Sequence, residues 1–347
     1  MPTPPIPVAD LDEILAATRP LWEEMRGERI LMSGGTGFFG CWLVESFLHA
    51  NRTLQLGANA TVLTRNAQSF LEKCPHLRGV EGLMLLEGDV RDFAAPAGTY
   101  RFVIHAATEA SARQLAEHPH QMLSTILAGT ERMLTCAARA GTRKLLFTSS
   151  GAVYGTQPPG INHVPESYPG APNPLLPASV YGEGKRAAEL MCALAASPEL
   201  EIKIARCYAF LGPHLPLDTH FAAGNFLADA LAGRTIKIAS NGSSVRSYLY
   251  AADLAIWLWT MLFRAPSMRA YNVGSEDAVT IRELAAATVR VVNPEVPVEV
   301  AQPIDPSRVP HRYVPSTARA REELGLRQTV SLDEALRRTA AWHRLES

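Results

Sequence analysis

The sequence is short of the features that would commit it to a special class. Only five of its 347 residues are cysteine (Cys41, Cys74, Cys136, Cys192, Cys207), an odd number, widely spaced and without a CxxC pair. That pattern argues against a disulfide framework or a zinc site and fits a reduced compartment, so no bound metal is expected. The longest apolar run, Leu254 to Phe263, has about half the length that a bilayer span needs. The opening MPTPPIPVADLDEI lacks the basic start and apolar core of a secretory signal. Neither sign of charge predominates: 33 Lys+Arg face 34 Asp+Glu, for a net charge of -1. The electrostatic footprint expected of a partner of nucleic acid or anionic membrane is therefore missing. These absences predict a cytoplasmic globular chain, and 47% apolar residues suffice for one large domain or two intimate ones.

What is present is an alternation of short apolar runs with helical periods. RILMS (29–33), ATVLT (60–64), GLMLL (82–86), RFVIH (101–105), KLLFTS (144–149) and EIKIAR (201–206) read as strands. Helices are expected at 38–50 and about 121–140 between them, and together these predict a doubly wound parallel sheet, the Rossmann-type α/β class. Before it lie a Pro-rich tail and one helix, to residue 28, with a capping box from Asp10 to Glu13 and an apolar stripe of Leu11, Ile14, Leu15, Leu21 and Trp22. Seven prolines between Gly155 and Ala178 mark a long surface loop. Past Arg206 the alternation breaks. Helices at about 221–232, 251–264, 280–292 and 331–343 mix with short strands such as 235–239, predicting a smaller α/β lobe. The expected division is thus 1–28, then 29–206 with 242–275 returning to it, then a second lobe of 207–241 and 276–347.

RILMSGGTGFFG sets Gly35-x-Gly37-x-x-Gly40 after the first strand and at the mouth of a helix that opens with Phe38 and Phe39; Gly34 adds a second register. Glycines there permit a tight turn, close backbone approach to a pyrophosphate, and packing of helix on strand, while the helix N-terminus favours the anion. The second strand ends in Thr64-Arg65-Asn66, with no carboxylate to hold an adenosine 2′-hydroxyl. Arg65 is suited to a 2′-phosphate, so NADP is favoured and NAD remains open. Gly88-Asp89-Val90 follows the third strand, where an aspartate can hydrogen-bond adenine.

A proton-handling set lies further on. Ser150 ends the fifth strand, and Tyr181-Gly-Glu-Gly-Lys185 opens a helix with Tyr181 and Lys185 on one face. A phenol titrates near pH ~10, and bringing it to neutrality takes roughly 4 kcal/mol, within reach of a close ammonium and a cationic nicotinamide at low dielectric. Ser150 would then hydrogen-bond the reacting oxygen while Tyr181 exchanges its proton.

Together GGTGFFG, GDVRD (88–92), HAAT (105–108), TSSGAVYG (148–155), YGEGK (181–185) and RSYLYAADLA (246–255) resemble the extended short-chain dehydrogenase/reductases, in particular the NAD-dependent epimerase/dehydratase group that acts on nucleotide sugars. The resemblance implies a Rossmann domain with a small lobe closing over a nucleotide-diphosphate sugar. It also implies a homodimer through the helices around 121–140 and 180–196. Ser150, Tyr181 and Lys185 match the family's catalytic triad. Ala106, Ala107 and Tyr208 match cofactor contacts, and Asn225, Arg246 and Arg312 match residues that hold the nucleotide diphosphate.

Three departures sort the possible reactions. Gly151-Ala152 stands where 4,6-dehydratases carry an acidic pair. Ala209 replaces an Asn that 4-epimerases and sugar-acid decarboxylases set against the diphosphate. Ile126 replaces a family Asn on the cofactor side. What remains is hydride transfer at C4, leaning to reduction of a 4-keto-6-deoxysugar. Alternatives are a 4-epimerase with tightly bound NAD, then a UDP-glucuronate-type decarboxylase using Glu109. A dinucleotide-binding sensor without catalysis is disfavoured, because both Tyr181 and Lys185 are present.

Overall fold

The computed structural model describes residues 2–107, 115, 117–218, 221–305, 307 and 309–345. Its strands are β1 (Arg29–Ser33), β2 (Asn59–Thr64), β3 (Leu83–Glu87), β4 (Phe102–His105), β5 (Lys144–Ser150), β6 (Glu201–Cys207), β7 (Phe210–Leu211) and β8 (Ile236–Ile238). They continue with β9 (Val245–Arg246), β10 (Leu249–Tyr250), β11 (Ala270–Val273), β12 (Val279–Thr280), β13 (Val298–Val300) and β14 (Arg312–Tyr313). Seven of them form one sheet in the order β11-β6-β5-β4-β1-β2-β3, with every pair parallel. This is the α/β architecture that the alternation predicts.

Side-chain alternation assigns each strand residue to a face. Ile30, Met32, Phe102, Ile104 and Leu146 enter one buried cluster, while Leu31, Val103, Leu145 and Phe147 enter the other. The helices are α1 (Val8–Thr18), α2 (Phe38–Leu54), α3 (Ala67–Lys73), α4 (Pro119–Arg139), α5 (Val180–Ala195), α6 (Ala222–Leu231), α7 (Ala251–Arg264), α8 (Ile281–Val292), α9 (Ala318–Leu324) and α10 (Leu332–Arg344). The second cluster lies under α4 and α5; α1, α2 and α7 cover the first. Among the described residues no helix is long and apolar enough to cross a membrane.

The N-terminal helix differs from its sequence reading at one end. It starts at Val8, and Asp10 is not its cap but lies buried in its first turn. The Tyr250 hydroxyl donates to one Asp10 oxygen (2.7 Å) and Arg338 donates to the other (2.5 Å). Arg338 also pairs with Glu13 at 2.9 Å, so both acids serve long-range contacts instead of a local box. Trp22, just past α1, packs its ring 4.6 Å from that of Trp259.

Outside the large sheet, segments far apart in sequence pair with one another. In a three-stranded sheet β9, which lies in the 242–275 segment expected to return to the larger domain, sits between β12 and β14, and the register sets Tyr313 beside Arg246. A single parallel bridge joins Val164 of the Pro-rich loop to Pro315.

Candidate active site

The strand order reverses between β1 and β4, and the segments leaving their C-terminal ends frame a crevice, the place where open α/β sheets bind ligands. Gly34 has φ +73, and a Cβ there would sit 2.5 Å from the Ala106 carbonyl oxygen. A Cβ on Gly35 would lie 2.5 Å from Val62 Cγ1, and one on Gly40 would overlap the Gly34 carbonyl. Gly37 is different: the nearest atom to its Cβ would be 3.5 Å away. Three glycines therefore let the backbone close on itself, while the fourth borders free space at the start of α2. The first intrahelical bond runs from the Cys41 N–H to the Gly37 carbonyl (2.9 Å), so the N–H groups of Phe38, Phe39 and Gly40 precede it and are suited to an anion. This cradle fits a dinucleotide pyrophosphate.

Across the crevice Ala106 N–H donates to the Ser33 carbonyl (3.1 Å), and Ala107 N–H to Ser33 Oγ (3.4 Å). His105 bridges Ser33 Oγ (2.7 Å) and Thr130 Oγ1 (3.1 Å), and burial pushes it down to about 3, so it is neutral and structural. Arg65 is exposed at the end of β2. Asp89 is held by a neighbour: the Arg91 guanidinium bonds both its oxygens at 2.8 Å and holds the carboxyl down at about 2. An adenine amine would compete with that pair. Val90 is buried against Gly129. Ile126 is likewise buried, beneath Gly184 of α5, and Glu109 lies outside the described residues.

Ser150, Tyr181 and Lys185 are brought together where β5 ends and α5 begins. Ser150 Oγ accepts from the Ala152 N–H (3.1 Å) and lies close enough to the Tyr181 hydroxyl to ease its ionisation. Lys185 donates to the Thr148 carbonyl (2.8 Å), with its Nζ 6.0 Å from the Tyr181 ring centre. The sequence expectation of a phenolate rests on a cationic nicotinamide as well as on the ammonium; the protein's own packing pushes both side chains towards their neutral forms. Tyr181 keeps part of its surface accessible, yet the packing around its hydroxyl pushes it up to about 12, against the opposing effect of Ser150. Burial also lowers Lys185 to about 8. Desolvation is the largest cause of both shifts, and it favours the protonated phenol at neutral pH. Behind them Glu189 accepts from Ser149 (2.5 Å) and from both ends of the Arg206 fork (3.0 and 2.7 Å), which locks the strand end to the helix.

The sequence reading missed Tyr313. Its hydroxyl lies 3.5 Å from Ser150 Oγ, and its ring packs on that of Tyr208 at 4.5 Å. Both rings press on Gly151, where a Cβ would meet them at 2.6–2.7 Å. The hydroxyls of Tyr208 and Ser247 are buried and have no hydrogen-bond partner among the described residues. Arg246, beside Tyr313, contacts the Val245 carbonyl (2.8 Å) and His311 Nδ1 (3.1 Å), with no acidic partner among the described residues. Arg312 alternates to the other side of β14 from Tyr313 and donates to the Asn162 carbonyl (2.8 Å); it is not brought to Ser150. Asn225 lies half-buried on α6. No local pattern marks Tyr313, because a register between β9 and β14 delivers it.

Residues 30–274 match the NAD dependent epimerase/dehydratase family. UDP-glucuronic acid decarboxylase 5 of Arabidopsis thaliana is 31% identical over 317 residues, covering 89% of this chain and 87% of that protein. UDP-glucuronic acid decarboxylase 1 of Xenopus tropicalis is 29% identical, covering 92% and 73%. Among solved structures, the dTDP-glucose 4,6-dehydratase of Streptomyces venezuelae with bound NAD superposes with a TM-score of 0.76 at 25% identity, covering 91% of this chain and 97% of that one. The UDP-glucose 4-epimerase of Thermotoga maritima gives 0.75 at 22% identity, covering 92% and 99%.

Proposed function

The chain belongs to the NAD dependent epimerase/dehydratase family, and from that membership we propose that it transfers hydride at C4 of a nucleotide-diphosphate hexose, in the direction of 4-keto-6-deoxysugar reduction. The observation that carries this reading is the turn after Ser150. Gly151 and Ala152 offer no acid or base, and two tyrosine rings fill the space beside them. The hydroxyls of Ser150 and Tyr181 serve one carbonyl oxygen, and nothing in that turn serves a second proton transfer at C5 or C6.

The crevice residues Gly34, Gly35, Gly37 and Gly40, the backbone of Phe38, Phe39, Ala106 and Ala107, and Tyr208 would hold the dinucleotide, which supplies the hydride. Asp89 and Val90 border its adenine end. At the end of β2 the exposed Arg65 favours a 2′-phosphate. The nearby acids are otherwise engaged, since Glu87 accepts from the Ala67 N–H (2.9 Å) and Asp89 is held by Arg91. The cofactor is therefore NADPH ahead of NADH.

Ser150 orients and polarises the C4 carbonyl, and Tyr181, held protonated by burial, gives its proton to O4 as hydride reaches C4. Lys185 supports the phenolate left behind, its charge next to the ring and its Nζ fixed by Thr148. Arg246, with no acidic partner among the described residues, is placed for the diphosphate, and Asn225 and Arg312 are the further residues proposed to hold it.

A second reading, decarboxylation of a UDP-glucuronate-type acid, is favoured by the 31% identity to a plant UDP-glucuronic acid decarboxylase. Incubating the protein with nucleotide-linked 4-keto-6-deoxyhexoses, 4-epimer pairs and UDP-glucuronate, with and without NADH or NADPH, separates these readings. Oxidation of NADPH in step with alcohol formation is expected, and Tyr181→Phe should lower that rate about 10²–10⁴-fold while cofactor still binds. Turnover on bound NAD with no added cofactor would establish an epimerase, and release of carbon dioxide from UDP-glucuronate a decarboxylase.

A further inference from the structure

Away from the crevice floor, a second group of polar side chains is largely buried, with only His76 half-buried. Helix α2 contributes Cys41 and, one turn later on the same face, Glu45. The segment after α3 contributes Cys74 and His76, and the turn after β7 contributes His214, held at φ +66. The Cys41, Cys74 and His214 ligand atoms all lie within 4.8 Å of one another. Glu45 Oε1 stands 3.4 Å from His214 Nε2 and 3.2 Å from His76 Nε2. Cys41, Cys74, Glu45 and His214 are each no more than 5% exposed.

The group is covered on every side by chain that has its own reasons to be there. The Thr3 hydroxyl lies 3.4 Å from Cys74 Sγ, the Ile6 N–H donates to Glu45 Oε2 (2.9 Å), and the Trp342 ring sits 4.6 Å from the His214 ring. Among the described residues Glu45 Oε1 and the ring nitrogens of His76 and His214 make no hydrogen bond of good geometry; Glu45 Oε1 stands only within ion-pair distance of the two Nε2 atoms, and both Nδ1 atoms have no partner there. Buried polar atoms are paired almost without exception, so a cluster held this loosely points to a group that draws it together. Two sulfurs and an imidazole select a soft or borderline cation that accepts four ligands. Sulfurs around such a zinc ion are about 3.7 Å apart, from metal–sulfur bonds of about 2.3 Å, so small side-chain rotations would close the set.

We propose that Cys41, Cys74 and His214 bind a tetrahedral divalent cation of the zinc class, with Glu45 as fourth ligand and His76 behind it orienting the carboxylate. Binding displaces the thiol protons to solvent and needs no oxidant. All four positions are then filled by protein, so the ion is structural. It joins α2, the segment after α3 and the turn after β7, one residue beyond Gly40 of the cofactor cradle. The expectation of no metal rested on local spacing, whereas this site is assembled from residues 33 and 140 positions apart (41 to 74, 74 to 214).

The test uses the full chain purified under reducing conditions, stripped with a chelator and titrated with cobalt(II), then zinc(II). One cobalt per chain is expected, with a thiolate-to-cobalt charge-transfer band in the near ultraviolet that zinc abolishes, and a Tm that rises with added zinc. Cys74→Ser and His214→Ala should lose the band and the stoichiometric metal. Should either variant fail to fold, the cobalt spectrum of the unaltered chain decides. Absence of a stoichiometric cation, cobalt bound without the thiolate band, or full zinc retention by the folded variants would overturn the site. So would an unreduced preparation lighter by two hydrogens with Cys41 and Cys74 joined, which would make the pair a disulfide.

Discussion

At the scale of single residues, one substitution at two glycines separates folding from binding. A Cβ at Gly40 would overlap the Gly34 carbonyl, whereas at Gly37 it meets nothing closer than 3.5 Å. Gly37→Ala should therefore fold with a loss of at most about 1 kcal/mol, the difference between the two as helix caps, while cofactor affinity measured by fluorescence titration falls. Gly40→Ala should be impaired in both. The proton-handling pair makes a second prediction. Lys185 is lowered to about 8 and Tyr181 raised to about 12, so the lysine loses its charge first as pH rises, and the phenol remains a donor. The reductive kcat/KM should be level through neutrality and decline as pH rises through about 8. In Lys185→Met that decline should disappear at a lower overall rate. A decline centred below pH ~6, where neither group changes charge on these values, would refute the assignment. The glycines and the Tyr181–Lys185 pair were legible because local spacing carries their geometry. Burial, which sets their charge states, depends on neighbours from β5, β6 and β14 and has no local signature.

At the scale of elements, the N-terminal helix is fastened by a buried acid as well as by its apolar stripe. Asp10 satisfies the Tyr250 hydroxyl and shares Arg338 with Glu13 and Glu334. Burial raises its pKa even against those partners. Asp10→Ala leaves a buried phenol without its acceptor and an arginine one carboxylate short, which should cost about 2–3 kcal/mol in urea unfolding. Asp10→Asn, which can still accept from Tyr250, should recover part of it. The strands β1 to β6 were readable because apolar residues recur along each and turn to the two buried clusters on alternate faces, although β3 at the sheet edge is only half-buried. The two-residue strands β7, β9, β10, β12 and β14 were not, since so few residues carry no period and exist only through their partners. Tyr313 entered the site unseen for that reason. So did Cys41, Cys74 and His214, whose neighbourhood is a product of three connections and not of spacing.

At the scale of the molecule, the outer face of α5 bears Leu190 (62% exposed) and, one turn on, Leu194 (81% exposed), next to α4, against which α5 packs. Apolar residues so placed suit a self-complementary surface between two copies. Sedimentation should show a dimer, and Leu190→Glu with Leu194→Glu should give a monomer with unchanged circular dichroism. A monomeric unaltered chain would refute it. The contact between Ser150 of the large sheet and Tyr313 of the small one has a further consequence. Under the proposed function, a sugar oxygen reaching Ser150 would take the place of the Tyr313 hydroxyl that stands 3.5 Å from it. Recognition would then be a trade and not an addition, its strength set by what is relinquished as well as by what is gained.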